Sequence, residues 1–163
     1  MKIVILGAGH GGLVAGSKLA KEGMDVTIYE RKQESELGHD WEDRFTLNLL
    51  CEITEEKDLP KGSWRYRGDC TFVSPSKNTN IDIKYTDETR QKIMWRKPLV
   101  QALIEYATKC GVKIEYGVEI ISPIIKGDVV LGINSSKGEI KADLIIDSLG
   151  VLSPIRCSLP DNF

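Results

Sequence analysis

Residues 7–12 of this 163-residue chain read Gly7-Ala8-Gly9-His10-Gly11-Gly12, and the flanks of this loop leave few ways to fold it. Before it stands Lys2-Ile3-Val4-Ile5-Leu6, a nearly continuous aliphatic run that suits a strand buried on both faces of a parallel sheet. After it, Leu13, Val14, Leu19 and Ala20 recur with helical spacing until Gly23 stops the helix. Val26-Thr27-Ile28-Tyr29 reads as a second strand, so the three elements predict a right-handed β-α-β unit. In a G-x-G-x-x-G loop so placed, Gly7 permits the tight turn, Gly9 lets a pyrophosphate approach the main chain, and Gly12 lets helix and strand pack closely. Gly16 adds a second close-packing position on the same helix face. Free N–H groups and the helix dipole at that point favour negative charge. Glu30 ends the second strand eighteen residues after Gly12. The dinucleotide fingerprint expects an acid about 20 residues on, bonded to ribose hydroxyls. A carboxylate there repels a 2′-phosphate, so the adenosine half of FAD or NAD fits. The alternative is a loop that only turns the chain, and the matched strand, helix and acid argue against it.

Charge adds little to this picture and excludes several classes. Twenty-two Lys and Arg against 24 Asp and Glu leave a net charge of −2, with no basic excess for nucleic acid or an anionic membrane. No apolar run approaches the ~20 residues that span a bilayer. The strand beginning at Lys2 leaves no room for a signal peptide. Cys51, Cys70, Cys110 and Cys157 form no C-x-x-C pair, and His10 and His39 are the only histidines, so no metal site is expected. Reduced thiols predict a cytoplasmic protein, which makes the sequon at Asn134 a chance match.

The rest of the chain departs from plain β-α repetition. Residues 31–61 are polar around one apolar patch, Leu47-Asn48-Leu49-Leu50, and predict a short helix within a long loop. Residues 64–73 and 81–85 alternate as strands about a turn at Ser74-Pro75-Ser76-Lys77-Asn78, which predicts an inserted hairpin in the region 62–87. A helix starts near Pro98, carries Leu99, Ala102, Leu103, Tyr106 and Ala107 on one face, and stops at Gly111. A strand is expected at 112–116. Three short strands follow near 118–125, 129–133 and 139–142, and a buried strand at 143–147 leads to Gly150. The predicted fold class is α/β: a Rossmann-like FAD- or NAD(P)-binding domain with a mostly parallel sheet, a three-stranded β-meander crossover and an inserted β-hairpin, forming one domain over 1–163.

Three blocks of this layout, in order, resemble the FAD-binding domain of the flavoprotein monooxygenase and geranylgeranyl reductase superfamily, the p-hydroxybenzoate hydroxylase fold. The first is 3–31, with Gly7, Gly9, Gly12 and Glu30 matched. The second is Arg96-Lys97-Pro98-Leu99 through Leu103, Ala107 and Gly111, similar to R-x-x-L-x-x-x-L-x-x-x-A-x-x-x-G. The third is Ala142-Asp143-Leu144-Ile145-Ile146-Asp147-Ser148-Leu149-Gly150 through Ser153 and Arg156, similar to A-D-L-V-I-x-A-D-G-x-x-S-x-x-R. The resemblance implies that Arg96 lies beside the ribityl and phosphate groups of FAD, and that the backbone near Ile120 touches adenine. Gly7, Gly9, His10, Gly11, Gly12, Glu30, Arg31, Arg44, Arg96, Ile120 and Gly150 are the expected cofactor-binding positions.

Departures from the family refine the expectation. Its Asp before the third-block glycine is Leu149 here, which weakens the case for an NADPH-driven hydroxylase and favours a reductase-like member. Asp147 lies two residues too early to replace it. No W-x-W-x-I-P segment marks a halogenase. The superfamily's following substrate domain and G-D-A motif are not in this sequence. The resemblance therefore implies a truncated FAD-binding domain whose remainder is missing or supplied by a partner, a homo-oligomer being one such arrangement.

Other residues carry two readings. His10 contacts cofactor phosphate or points to solvent. Arg44 neutralises a phosphate or pairs with Glu42 or Asp43. Asp40 and Asp43 have nothing to place them around a substrate. Ser17, Ser153 and Cys157 lack a His/Asp relay, so no catalytic residue is assigned. Arg90, Lys92, Arg96 and Lys97, beside acidic Asp87 and Glu88, read as the approach to a helix. The function expected is the FAD-binding part of a flavin-dependent oxidoreductase, moving a hydride or electrons to a small organic substrate with NAD(P)H as a candidate donor. The alternative is a non-catalytic module for FAD, NAD or an ADP-like ligand. A nicotinamide-only dehydrogenase domain predicts further parallel β-α units in place of the meander.

Overall fold

The computed structural model describes residues 1–45, 49–55, 62–87 and 90–159. Leu47, Asn48 and Glu88, invoked above, lie outside the described residues. In chain order the elements are β1 (Lys2–Leu6), α1 (His10–Lys21), β2 (Asp25–Glu30), a 3₁₀ turn (Glu34–Glu36), β3 (Glu42–Phe45), α2 (Leu49–Thr54), β4 (Trp64–Tyr66), β5 (Cys70–Val73) and β6 (Asn80–Ile83). There follow β7 (Lys92–Trp95), α3 (Arg96–Lys109), β8 (Lys113–Tyr116), β9 (Ile120–Lys126), β10 (Val129–Ser135), β11 (Gly138–Lys141), β12 (Leu144–Asp147) and α4 (Pro154–Ser158). The chain divides into two compact units, Met1–Leu37 with the chain from Val100 onward, and Gly38–Leu99.

The first unit is built on a four-stranded parallel sheet in the order β12-β1-β2-β8. β1 is central, which is why its four residues from Ile3 to Leu6 are completely buried and need no polar face. α1 packs closely on Ile5 and Ile28: a Cβ on Gly16 would meet the Ile28 Cδ1 at 3.1 Å. Val4 and Leu6 join Val118, Ile120, Ile133 and Ile155 in one buried cluster. The antiparallel meander β9-β10-β11 supplies Ile120 and Ile133 to it. The α/β class, the parallel sheet and the meander are as the sequence predicts. A meander in this place is the layout that a nicotinamide-only dehydrogenase domain does not have.

The second unit holds the β5–β6 hairpin, Phe72 opposite Ile81, as expected. It also holds an antiparallel sheet in the order β3-β7-β4 that the sequence reading did not foresee. Residues 64–73 are not one strand: β4 ends at Tyr66, and β5 starts at Cys70 with a different partner. The run from Arg90 to Lys97 is not simply a helix approach either, since Lys92–Trp95 is the middle strand β7 of that sheet. Four residues with a lysine among them carry too weak a period-two signal to stand out.

Candidate functional site

Gly7 leaves β1 with φ +93°, a conformation that glycine adopts without a Cβ penalty, and its N–H donates to the Tyr29 carbonyl at 2.8 Å. Gly9 then caps α1, with extended φ and ψ, no side-chain cap and no acid in the first turn. The first helical bond runs from Leu13 N to Gly9 O at 3.0 Å, so the amides of Gly11 and Gly12 have no intrahelical acceptor.

The glycines of the loop serve different ends. A Cβ on Gly12 would stand 2.2 Å from the Gly7 carbonyl oxygen and 2.5 Å from Ser148 Oγ, so Gly12 is required by the protein itself. A Cβ on Gly9 or Gly11 would meet nothing within 4 Å. Gly9 is needed neither for φ nor for packing. Its missing side chain leaves bare main chain at a helix N-terminus, the arrangement that a diphosphate requires.

Glu30 lies beside this loop. Glu30 as a residue is 9% exposed, and its carboxylate accepts at Oε2 from Ala8 N and at Oε1 from Lys32 N, both at 2.9 Å. Each oxygen keeps a second lone pair for a hydroxyl donor. Tyr116, opposite Glu30 in the β2–β8 register, is held neutral by burial and by the charges of Glu34 and Glu30, its hydroxyl pushed up to about 12. Ser148 is the contact that the sequence reading missed. It stands where the family pattern has Ala, and its hydroxyl reaches the carbonyls of Leu6 (2.8 Å) and Gly7 (2.9 Å), tying the end of β12 to the loop.

The other expected residues are placed as follows. His10 is half-buried at the first helical position, and Arg31 is exposed. Ile120 pairs with Ser135 and its side chain lies in the core, which leaves its main chain for any contact with a ligand. Gly150 sits in the turn between β12 and α4, exposed. In that turn Asp147 accepts from Leu149 N at 3.0 Å and from Ser153 Oγ at 2.5 Å, while Ser153 caps α4. Asp147 is thus spent on the turn.

Arg44 and Arg96 belong to the second unit. Arg44 is exposed on β3, and each of the two neighbouring acids holds another arginine. Glu42 binds Arg65 at 2.8 Å. Asp43 holds Arg96 in a bidentate pair, Nε to Oδ2 at 2.7 Å and Nη2 to Oδ1 at 2.6 Å. Arg96 also lies over the Trp41 ring at 4.3 Å and donates its N–H to the Trp41 carbonyl. Among the described residues, no three His, Cys, Asp or Glu side chains gather as metal ligands, and no helix is long and apolar enough to cross a membrane.

A parallel sheet whose glycine loop opens a helix beside a strand-ending acid defines a Rossmann-like dinucleotide-binding protein. Residues 5–43 match the family of NAD(P)-binding Rossmann-like domains. The chain is 24% identical over 160 residues to a digeranylgeranylglycerophospholipid reductase of Methanosarcina mazei, and 28% identical over 166 residues to that of Methanosarcina acetivorans. Each match covers 94% of this chain and 38% of the relative, so the chain spans well under half the length of the curated proteins it matches. A crystal structure of 2-methyl-3-hydroxypyridine-5-carboxylic acid oxygenase superposes with a TM-score of 0.75 at 26% identity, covering 95% of this chain and 41% of that one. The myxobacterial chondrochloren halogenase CndH, described as a variant of FAD-dependent halogenases, shares the fold at 18% identity and a TM-score of 0.71, over 94% of this chain and 38% of its own. Over nearly its whole length the chain resembles the FAD-binding part of the flavoprotein monooxygenase and geranylgeranyl reductase superfamily.

Proposed function

We propose that this chain is the FAD-binding part of a flavin-dependent oxidoreductase that transfers a hydride or electrons to a small organic substrate, in the cytoplasm. The open main chain at Gly9 and Gly11, with Glu30 turned toward the loop, carries this reading. Gly7, Gly9, Gly11 and Gly12 hold the diphosphate, Glu30 takes the adenosine ribose, and Arg31 flanks the adenosine. Ser148 keeps the loop in register through the Leu6 and Gly7 carbonyls. When bound, the flavin supplies the redox chemistry, and the chain supplies binding, orientation and electrostatics. The replacement of the family's Asp by Leu149 favours a reductase-like member over an NADPH-driven hydroxylase.

A second reading is a module that holds NAD or an ADP-like ligand without chemistry. The match of residues 5–43 to NAD(P)-binding domains supports it. Calorimetric titration of the purified chain with FAD, NAD and NADP separates the two. The proposal expects saturable FAD binding with a flavin absorbance band, weaker NAD binding, and NADP weakest because Glu30 repels the 2′-phosphate. NAD binding tighter than FAD binding would transfer the assignment to the second reading.

A further inference from the structure

Phe72 and Ile81, opposite each other across the β5–β6 hairpin, are 56% and 61% exposed, and Val73 is 54% exposed. Two strands alone are marginal in water, and these two form a sheet of their own. The hydrogen bond from Ser74 N to the Thr79 carbonyl, at 2.9 Å, sets the phase of their ladder. Opposed residues of an antiparallel pair alternate between hydrogen-bonded and non-hydrogen-bonded pairs. Counted from Ser74–Thr79, the Phe72–Ile81 pair is bonded, whereas Thr71 and Val73 turn their main-chain N–H and C=O groups outward. Among the described residues, nothing engages these outward groups. Other outer strands of the chain are blunted against pairing: β8 by Lys113 and Glu115, β9 by Pro123, β11 by Glu139 and Lys141. β5, Cys70-Thr71-Phe72-Val73, carries no charge and no proline, and its partner β6 carries Asp82.

We propose that β5 is a self-pairing edge through which a second copy of this chain docks, antiparallel, with the two-fold axis at Phe72. In that register Thr71 stands opposite Val73 of the second copy, so the outward groups of each strand face those of the other. The two equivalent Thr71–Val73 pairs each exchange a pair of main-chain hydrogen bonds. Phe72 meets Phe72 of the second copy in a non-hydrogen-bonded pair, the closer kind, where aromatic side chains pack on each other. The two Phe72 and the two Ile81 side chains then form one apolar row across four strands. Charge selects the edge: no charged side chain of either strand enters a β5 junction, whereas a β6 junction would bring two Asp82 carboxylates together. This proposal stands on the hairpin alone and does not depend on the FAD reading.

Sedimentation velocity on the whole chain, over a concentration series in reducing buffer, reads the association. The wild type should dimerise reversibly. Val73→Pro removes an outward N–H but leaves the Phe72–Ile81 bonds in place, and should weaken the dimer roughly tenfold or more. Phe72→Glu sets two carboxylates against each other at the axis and should do the same. Asn80→Pro, the matching change on the outer edge of β6, should leave the dimer as in the wild type. The register is read separately by cross-linking, which does not rely on weakening the hairpin. The next non-hydrogen-bonded pair beyond Phe72 joins Cys70 to Ser74 of the second copy. Ser74→Cys should therefore give a disulfide-linked dimer on air oxidation, and the same variant with Cys70→Ser should not. Positions 70 and 74 of one chain lie roughly 13 Å apart along the strand, too far to bridge within it. A monomer at every concentration, a dimer unaltered in both Val73→Pro and Phe72→Glu, a dimer lost in Asn80→Pro, or the absence of a Cys70-dependent cross-link would each overturn the proposal.

Discussion

Gly12→Ala is expected to lower the melting temperature by roughly 2–14 °C, read from circular dichroism, and to abolish FAD retention. The added Cβ would stand 2.2 Å from the Gly7 carbonyl oxygen and 2.5 Å from Ser148 Oγ. The first of these is backbone at the mouth of β1 and cannot swing aside. Overpacking of this kind costs about 1–3 kcal/mol. Displacing the Ser148 hydroxyl from the Leu6 and Gly7 carbonyls adds about 1 kcal/mol. The helix-propensity gain of alanine over glycine, about 0.5–1 kcal/mol, is smaller than either loss combined with the other. At ~2–4 °C per kcal/mol for a chain of this size, the net falls in the stated range. Gly11→Ala is the control: its Cβ enters open space, so stability holds or rises slightly. Equal melting of the Gly12 variant and the wild type would mean that the helix does not approach the loop so closely.

Glu30→Ala is the second large effect, and it acts on stability and binding together. The carboxylate receives the N–H groups of Ala8 and Lys32, each at 2.9 Å. Hydrogen bonds to a charged acceptor contribute about 1.5–3 kcal/mol each, and the Ala8 donor would be left buried without an acceptor. Loss of the ribose contacts should weaken FAD binding by about 10–100-fold as well. Glu30→Gln should be intermediate, since a carboxamide has one acceptor oxygen and turns an NH2 toward the other donor. Melting and FAD titration on the two variants check this order. An alanine variant as stable and as tight-binding as the wild type would remove Glu30 from the site.

The β1-α1-β2 unit was legible because its signals are local. A continuous apolar strand, a glycine loop, a helical period and a strand-ending acid all fall within thirty residues of one another. The division of labour between Gly12 and Gly9 was not, because identical residue types conceal whether the protein or a ligand fills the missing Cβ. Ser148 was hidden for a related reason. Its acceptors are more than 140 residues away in sequence, and a serine after a short edge strand has no distinguishing pattern. In the second unit, the sheet escaped notice because β3 and β7 are four residues long and carry Glu42, Asp43, Arg44 and Lys92. Their charges read as surface, yet Asp43 pairs with Arg96, 53 residues on, and Lys92 is buried. Tertiary contacts that satisfy or trap a charge leave no local trace.

Main chain left bare for a ligand at the start of α1 is the feature that Gly9→Ala isolates. The new methyl group has no protein atom within 4 Å, and the backbone there is extended, so the fold has no reason to object. Calorimetric FAD titration of this variant beside the wild type, with a thermal melt of each, is the direct measurement. A melting temperature equal to or above that of the wild type, together with FAD binding weakened at least tenfold, is the predicted result; undiminished FAD affinity in the variant would contradict it.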